Sequence, residues 1–175
     1  MVKYGVLIIV FLGLFSCNKK VEIIELPLLA YSAPRMNEKG KIYYNSGQYF
    51  LIKNAPNDKD RLNEILLLEK KNSLDKKKKQ NNENRVGYIF YKYTPITKTF
   101  LEEKYYIPFF SGTEESLINQ EDAYLGSIYY YRCKNDTTKW ESSISIKYNK
   151  KDADIEVKEN EDPYYYRREV LESCY

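Results

Sequence analysis

Residues 125–148 set the tightest limit on the fold. Leu125 to Cys133 and Lys139 to Tyr148 are two β-rich runs separated by Lys134-Asn135-Asp136-Thr137-Thr138. A polar, turn-forming spacer between two such runs predicts a hairpin. In the second arm Trp140, Ile144, Ile146 and Tyr148 alternate with Glu141, Ser143, Ser145 and Lys147. Successive side chains on a strand point to opposite faces, so this arm predicts one dry face and one wet one. An antiparallel sheet covered on one side follows.

The rest of the chain is read around that hairpin. Ile42-Tyr43-Tyr44 and Tyr49 to Lys53 flank Asn45-Ser46-Gly47, which predicts a second hairpin. Val86 to Tyr93 reads as a strand ended by Pro95, Lys98 to Ile107 as another broken at Pro108, and the alternating Asp152 to Lys158 as an outer strand. One helix is predicted, from Asp60 to about Lys71. Asn57 or Asp58 caps it, and Leu62, Ile65 and Leu66 form its apolar stripe. Lys76 to Lys79 followed by Gln80 to Asn84 has no apolar face and predicts a solvated loop.

Composition excludes several chemistries. The 175 residues contain no histidine, which removes the commonest general base, the usual zinc ligand and every Ser-His or Cys-His nucleophile pair. Basic and acidic residues nearly balance, 28 against 25, so no acidic polymer is demanded as a partner and nucleic acid is not expected. Asp152, Asp154 and Glu156 open like a calcium loop, but Val157 stands where the turn needs glycine and Pro163 where a bidentate Glu is needed. The acidic neighbours Glu102-Glu103, Glu114-Glu115 and Glu121-Asp122 offer material for two-carboxylate hydrolysis, but nothing in the sequence builds a pocket around them. No catalytic residue, metal ligand or cofactor is assigned.

Tyrosine is the conspicuous excess, with 19 residues. Tyrosine gives stacking faces and rigid contact area, so Tyr88, Tyr91, Tyr93, Tyr129, Tyr130 and Tyr131, together with Tyr164 to Tyr166, form the predicted contact surface. Because neighbours on a strand face opposite ways, some of each triplet must lie on the wet side.

The N-terminus carries an address. Met1-Val2-Lys3 is followed by an apolar core from Tyr4 to Phe15, shorter than the about 20 residues of a membrane span, and then by Leu14-Phe15-Ser16-Cys17. This resembles the lipobox of bacterial lipoprotein precursors, although Phe15 stands where that family carries a smaller residue. The resemblance implies a signal peptide over residues 1–16 and lipidation of Cys17, which would anchor the chain in a lipid bilayer. Asn18-Lys19-Lys20 in a chain rich in Tyr, Lys, Ile and Asn looks like lipoproteins of the Bacteroidota. That likeness implies the outer membrane, on its periplasmic face rather than the cell surface. With Cys17 committed to lipid, Cys133 and Cys174 remain as a pair in an oxidising compartment, and one disulfide is expected. Asp136-Thr137-Thr138 resembles the O-glycosylation signal of the same group, with Thr137 as acceptor.

The expected fold class is therefore α+β: a cleaved signal peptide, a lipidated tether and irregular lead-in over 17–40, and a single domain over 41–175. That domain has one main helix packed on a four- to six-stranded, mostly antiparallel sheet. The expected role is a non-enzymatic envelope lipoprotein that binds another macromolecule, as an accessory, inhibitor or immunity-type protein. A glycan or small-ligand binder with a tyrosine-lined sheet is the alternative, and a carboxylate-based hydrolase the third class.

Overall fold

The computed structural model describes residues 19–36, 38, 40–76, 82–102, 117, 119–153, 156 and 162–174. The leader, Cys17, Lys77 to Lys79 and the pair Glu114-Glu115 lie outside them. Six strands dominate: β1 (Glu22–Met36), β2 (Ile42–Lys53), β3 (Glu83–Lys92), β4 (Tyr124–Arg132), β5 (Trp140–Asn149) and β6 (Tyr164–Glu172). They form one sheet in sequence order, β1 to β6. β2 and β3 are parallel, and every other neighbouring pair is antiparallel. Between the parallel strands runs α1 (Lys59–Glu69), 11 residues long.

These findings correct the expected fold class. Among the described residues the molecule is a mostly-β, mixed six-stranded sheet with one short helix rather than an α+β domain, and the expected four to six strands with one main helix fit it only loosely. Asn45-Ser46-Gly47 does not turn the chain, because β1 pairs with β2 straight through it, Ser46 opposite Ser32 and Gly47 opposite Tyr31. Gly47 is needed there for another reason: the Tyr31 ring lies where a β-carbon would stand. Residues 22–36, expected within an irregular lead-in of which Val21 to Leu29 could dock as an edge strand, form the 15-residue edge strand β1, in which Pro27 falls in the register shift between Leu26 and Tyr31. Thr97–Leu101 is a short 3₁₀ turn rather than the start of a strand, fixed by mutual hydrogen bonds between Thr94 and Thr97. Asp152 and Ala153, which begin an expected outer strand, lie in the 3₁₀ turn Lys150–Ala153; Asp154, Ile155, Val157 and Lys158 lie outside the described residues, among which the last strand is β6.

The helix forms as its sequence requires. The Asp58 carboxylate accepts from the Arg61 amide at 2.9 Å and caps the first turn. Leu62 and Leu66, one turn apart, are fully buried against the sheet. At Lys70–Leu74 the coil widens into a π turn, which puts both Lys70 and Leu74 on the inward side.

The sheet is covered on two faces, which corrects the one-sided expectation. Phe50, Ile52, Val86, Tyr88, Phe90, Ile128, Tyr130, Ile144 and Ile146 face α1 and form the larger core. On the opposite face Leu26, Tyr49, Leu51, Ile89 and Tyr91 pack with Leu117, Ala123 and the half-buried Phe100. Ser143 and Lys147, expected on a wet face, are 3% and 4% exposed. Cys133, at the end of β4, and Cys174, just past β6, are joined by a disulfide.

Candidate functional site

Strand alternation separates the six tyrosines proposed as one surface. Tyr88 and Tyr130 point towards α1 and are buried core residues, their rings meeting edge to face at 5.7 Å. Burial, reinforced by Glu83, Asp75 and Glu25, pushes the Tyr88 hydroxyl up to about 12. Tyr130 donates to Asp75 Oδ1 at 2.6 Å, and burial and that bond hold its hydroxyl far above the usual tyrosine range. Lys70 completes this cluster: its ammonium contacts Asp75 Oδ2 at 3.1 Å and Glu172 Oε1 at 2.9 Å. Burial alone would lower the Lys70 pKa, but its bonds to Glu172 and Asp75 prevail and raise it. A buried cation with two carboxylates and a capping phenol is satisfied, and it joins the π turn after α1 to β6.

The other four tyrosines lie on the far face. Tyr91 is buried, whereas Tyr93, Tyr129 and Tyr131 are half-buried. The Tyr129 ring covers Gly87, whose β-carbon would come within 2.5 Å of it. The Arg85 guanidinium stacks 4.2 Å from the Tyr129 ring and 5.6 Å from that of Tyr131.

Two neighbouring clefts lie elsewhere, at the end of the sheet where β2, β3 and β5 finish and β4 and β6 begin. A cleft of about 240 Å³ is lined by the apolar Ala55, Pro56 and Leu125 and by Asn57, Asn149, Asp122, Tyr124 and Tyr164. Lys59 from the first turn of α1, Lys92 from the end of β3 and Lys147 from β5 also line it. A second cleft, of about 260 Å³, is lined by Tyr91, Glu121, Tyr124, Lys147 and Tyr166. Tyr124 and Lys147 belong to both, so they form the wall between the two.

Lys147 is the centre of this site. Its ammonium donates to the Glu121 carbonyl and lies 3.5 Å from the centroid of the Tyr164 ring. Burial holds it below the usual lysine range; Glu121, Asp122 and Asp162 pull upward, and Lys59 adds to the lowering. The Tyr164 hydroxyl donates to Asp122 Oδ1 at 2.6 Å, and that bond, with some burial, pushes it up to about 12. Tyr124 is also pushed up to about 12, by burial, while its bond to Ser127 Oγ at 3.1 Å works in the opposite sense. At pH 7 the three phenols in contact with Lys147 or with one another, Tyr124, Tyr164 and Tyr166, therefore stay protonated. The site offers aromatic faces, amides, carboxylates and cations, groups that can contact a polar ligand.

Comparison with known proteins adds no relative. No family model, curated protein or solved structure matches this chain.

Of the remaining predicted positions, Thr137 is exposed at the tip of the β4–β5 hairpin. Asp136 accepts from both the amide and the hydroxyl of Thr138, which lowers the Asp136 pKa and fixes the turn. Thr137 also lines a third cleft, of about 360 Å³, with Arg132 and Tyr43. Glu121 and Asp122 sit in a 3₁₀ turn beside Lys147. Among the described residues no three His, Cys, Asp or Glu side chains group as metal ligands, and no helix is long and apolar enough to cross a membrane. Sequence reasoning missed Lys147, Lys59 and Lys92. The available signal was a lone lysine in the series Ser143, Ser145, Lys147 on one strand face.

Proposed function

We propose that this chain is a non-enzymatic, lipid-anchored protein of the bacterial envelope that binds a saccharide in the joined clefts around Lys147. The observation that supports this reading is the shared wall of Tyr124 and Lys147, with Tyr91, Tyr164 and Tyr166 around it. The C–H face of a sugar ring packs on an aromatic face, and its hydroxyls pair with side chains such as Asn57, Asn149 and Asp122. The cleft volume of about 240 Å³ suits one or two sugar units rather than a long chain.

Thermal stabilisation by envelope-derived glycan fragments, lost in Tyr124→Ala, tests the binding. The anchor rests on the Leu14 to Cys17 motif. Intact-mass and fractionation analysis of wild type against Cys17→Ala tests it: retention of residues 1–16 in wild type, or unchanged fractionation of the variant, would overturn that part.

A second reading, a protein partner of the accessory or inhibitor type, draws on β6. This strand ends the sheet among the described residues and exposes Tyr166 and Val170, each by more than half. Site-specific crosslinks from Val170 to one envelope protein, with no glycan stabilisation, would transfer the function to this reading.

A further inference from the structure

Two lysines among the described residues are buried, Lys70 and Lys147, and they are treated differently. Lys70 has carboxylates at 2.9 and 3.1 Å. Lys147, only 4% exposed, has no carboxylate within ion-pair distance among the described residues; its contacts are a backbone carbonyl and the face of a ring. Buried charges are ordinarily paired, because desolvating an ammonium is costly unless an anion compensates it. Lys147 also lines both clefts, so a counter-charge bound in either lies beside its side chain.

The surroundings favour an anion. Lys59 and Lys92 line the same cleft, and Lys92 makes no ion pair among the described residues. The one carboxylate in that lining, Asp122, already accepts from the Tyr164 hydroxyl. Lys59, Lys92 and Lys147 thus line this cleft with one carboxylate, already engaged, while Glu121 and Asp162 act on Lys147 from outside that lining. The first turn of α1 adds its N-terminal dipole from Lys59, although Asp58 already takes the Arg61 amide.

We infer that the ligand is an acidic sugar whose carboxylate or phosphate sits between Lys147 and Lys92 and completes the missing ion pair. This rests on the saccharide reading above and names the class of sugar. Tyr124 then provides the apolar face for the ring, and Asn57 and Asn149 the hydroxyl partners. An anion beside Lys147 restores the proton affinity that burial removes, so binding takes up a proton at alkaline pH. The groups facing Lys147 that set this balance are Glu121, Asp122, Asp162, Lys59 and the phenols of Tyr124, Tyr164 and Tyr166.

The experiment is calorimetric titration of the full chain in detergent micelles at low ionic strength. Its probes are a galacturonate disaccharide, a sugar phosphate, the neutral galactose disaccharide and inorganic phosphate. The acidic sugars should bind roughly tenfold or more tightly than the neutral one, and the advantage should shrink with added salt. Lys92→Gln, at an exposed position, should remove about three- to tenfold of that advantage without changing the Tm. Lys147→Met should abolish it. Raising the pH from 7 to 10 should weaken only the acidic sugars. Equal binding of acidic and neutral sugars, or no effect of Lys92→Gln, would overturn the acidic preference and leave the saccharide reading standing. Inorganic phosphate binding as tightly as the sugar phosphate would keep the anion site and overturn the saccharide reading. Binding of none of the four would overturn both.

Discussion

Removing the Cys133–Cys174 bridge should cost more than any single change on the surface, and the loss follows from chain length. The two cysteines are 41 positions apart. Closing a loop of that size restricts the unfolded chain by about 4 kcal/mol in the chain-entropy treatment. For a domain of this size each kcal/mol is worth about 2–4 °C in Tm, so Cys133→Ala/Cys174→Ala should melt roughly 8–16 °C lower. Alanine is the right replacement because Cys133 is 2% exposed and would bury an unsatisfied serine hydroxyl. The bridge also holds the end of β6, where Glu172 pairs with Ser142 and supplies one of the two carboxylates on Lys70. Circular-dichroism melts of the double variant and of wild type with and without reductant give the number. Amide exchange across Tyr164–Glu172 shows whether the native strand loosens as well. If mass analysis confirms the bridge in wild type and the Tm falls by less than about 4 °C, loop closure is not what the disulfide contributes.

Four further outcomes follow from the packing. Gly126→Ala would bring a β-carbon within 2.5 Å of the Ser145 carbonyl oxygen, a backbone atom that cannot swing away, and should cost about 1–3 kcal/mol by chemical denaturation. Gly87→Ala, blocked only by the Tyr129 ring, should cost less. Tyr130→Phe should lose about 1.5–3 kcal/mol with the charge-assisted bond to Asp75, read as a lower midpoint at unchanged denaturant slope. Tyr88 and Tyr124 ionise near 12 when folded but near 10 when unfolded. Their contribution is therefore complete below pH 10 and lost as the pH rises towards 12, at about 1.4 kcal/mol per pH unit for each, which stopped-flow unfolding against pH would detect. A flat stability between pH 10 and 12 would contradict the burial of both hydroxyls.

What was legible in the sequence was local. The β4–β5 hairpin and α1 appear within a residue or two of their predicted positions, because alternation around a polar spacer and a capped leucine stripe are complete within a few residues. What was not legible depended on distant partners. Asn45-Ser46-Gly47 has the composition of a turn, and only the arrival of Tyr31 from β1 explains why it stays extended. The parallel β2–β3 pair follows from the crossover through α1, which no residue pattern announces. The wet face of β5 read as exposed because Ser143 and Lys147 are polar, yet both are buried. The site is invisible for the same reason: Lys59, Lys92 and Lys147 come from three elements and meet only once the sheet is assembled.

The antiparallel start of β1 has an orientational consequence. Glu22 lies opposite Lys53, and the Asn54 side-chain amide donates to the Lys20 carbonyl at 2.9 Å, so the chain enters the sheet beside the loop Ala55-Pro56-Asn57. That loop is also one rim of the Lys147 cleft. Under the proposed lipidation of Cys17, three residues separate the acyl chains from Lys20, a leash of about 10 Å when fully extended. So short a leash leaves the domain little freedom to tumble. It sets the cleft end of the sheet close to the bilayer and the hairpin tip at Thr137 at the opposite, outward end. A ligand would then have to be taken from the layer of headgroups and polymer next to the membrane rather than from the open periplasm.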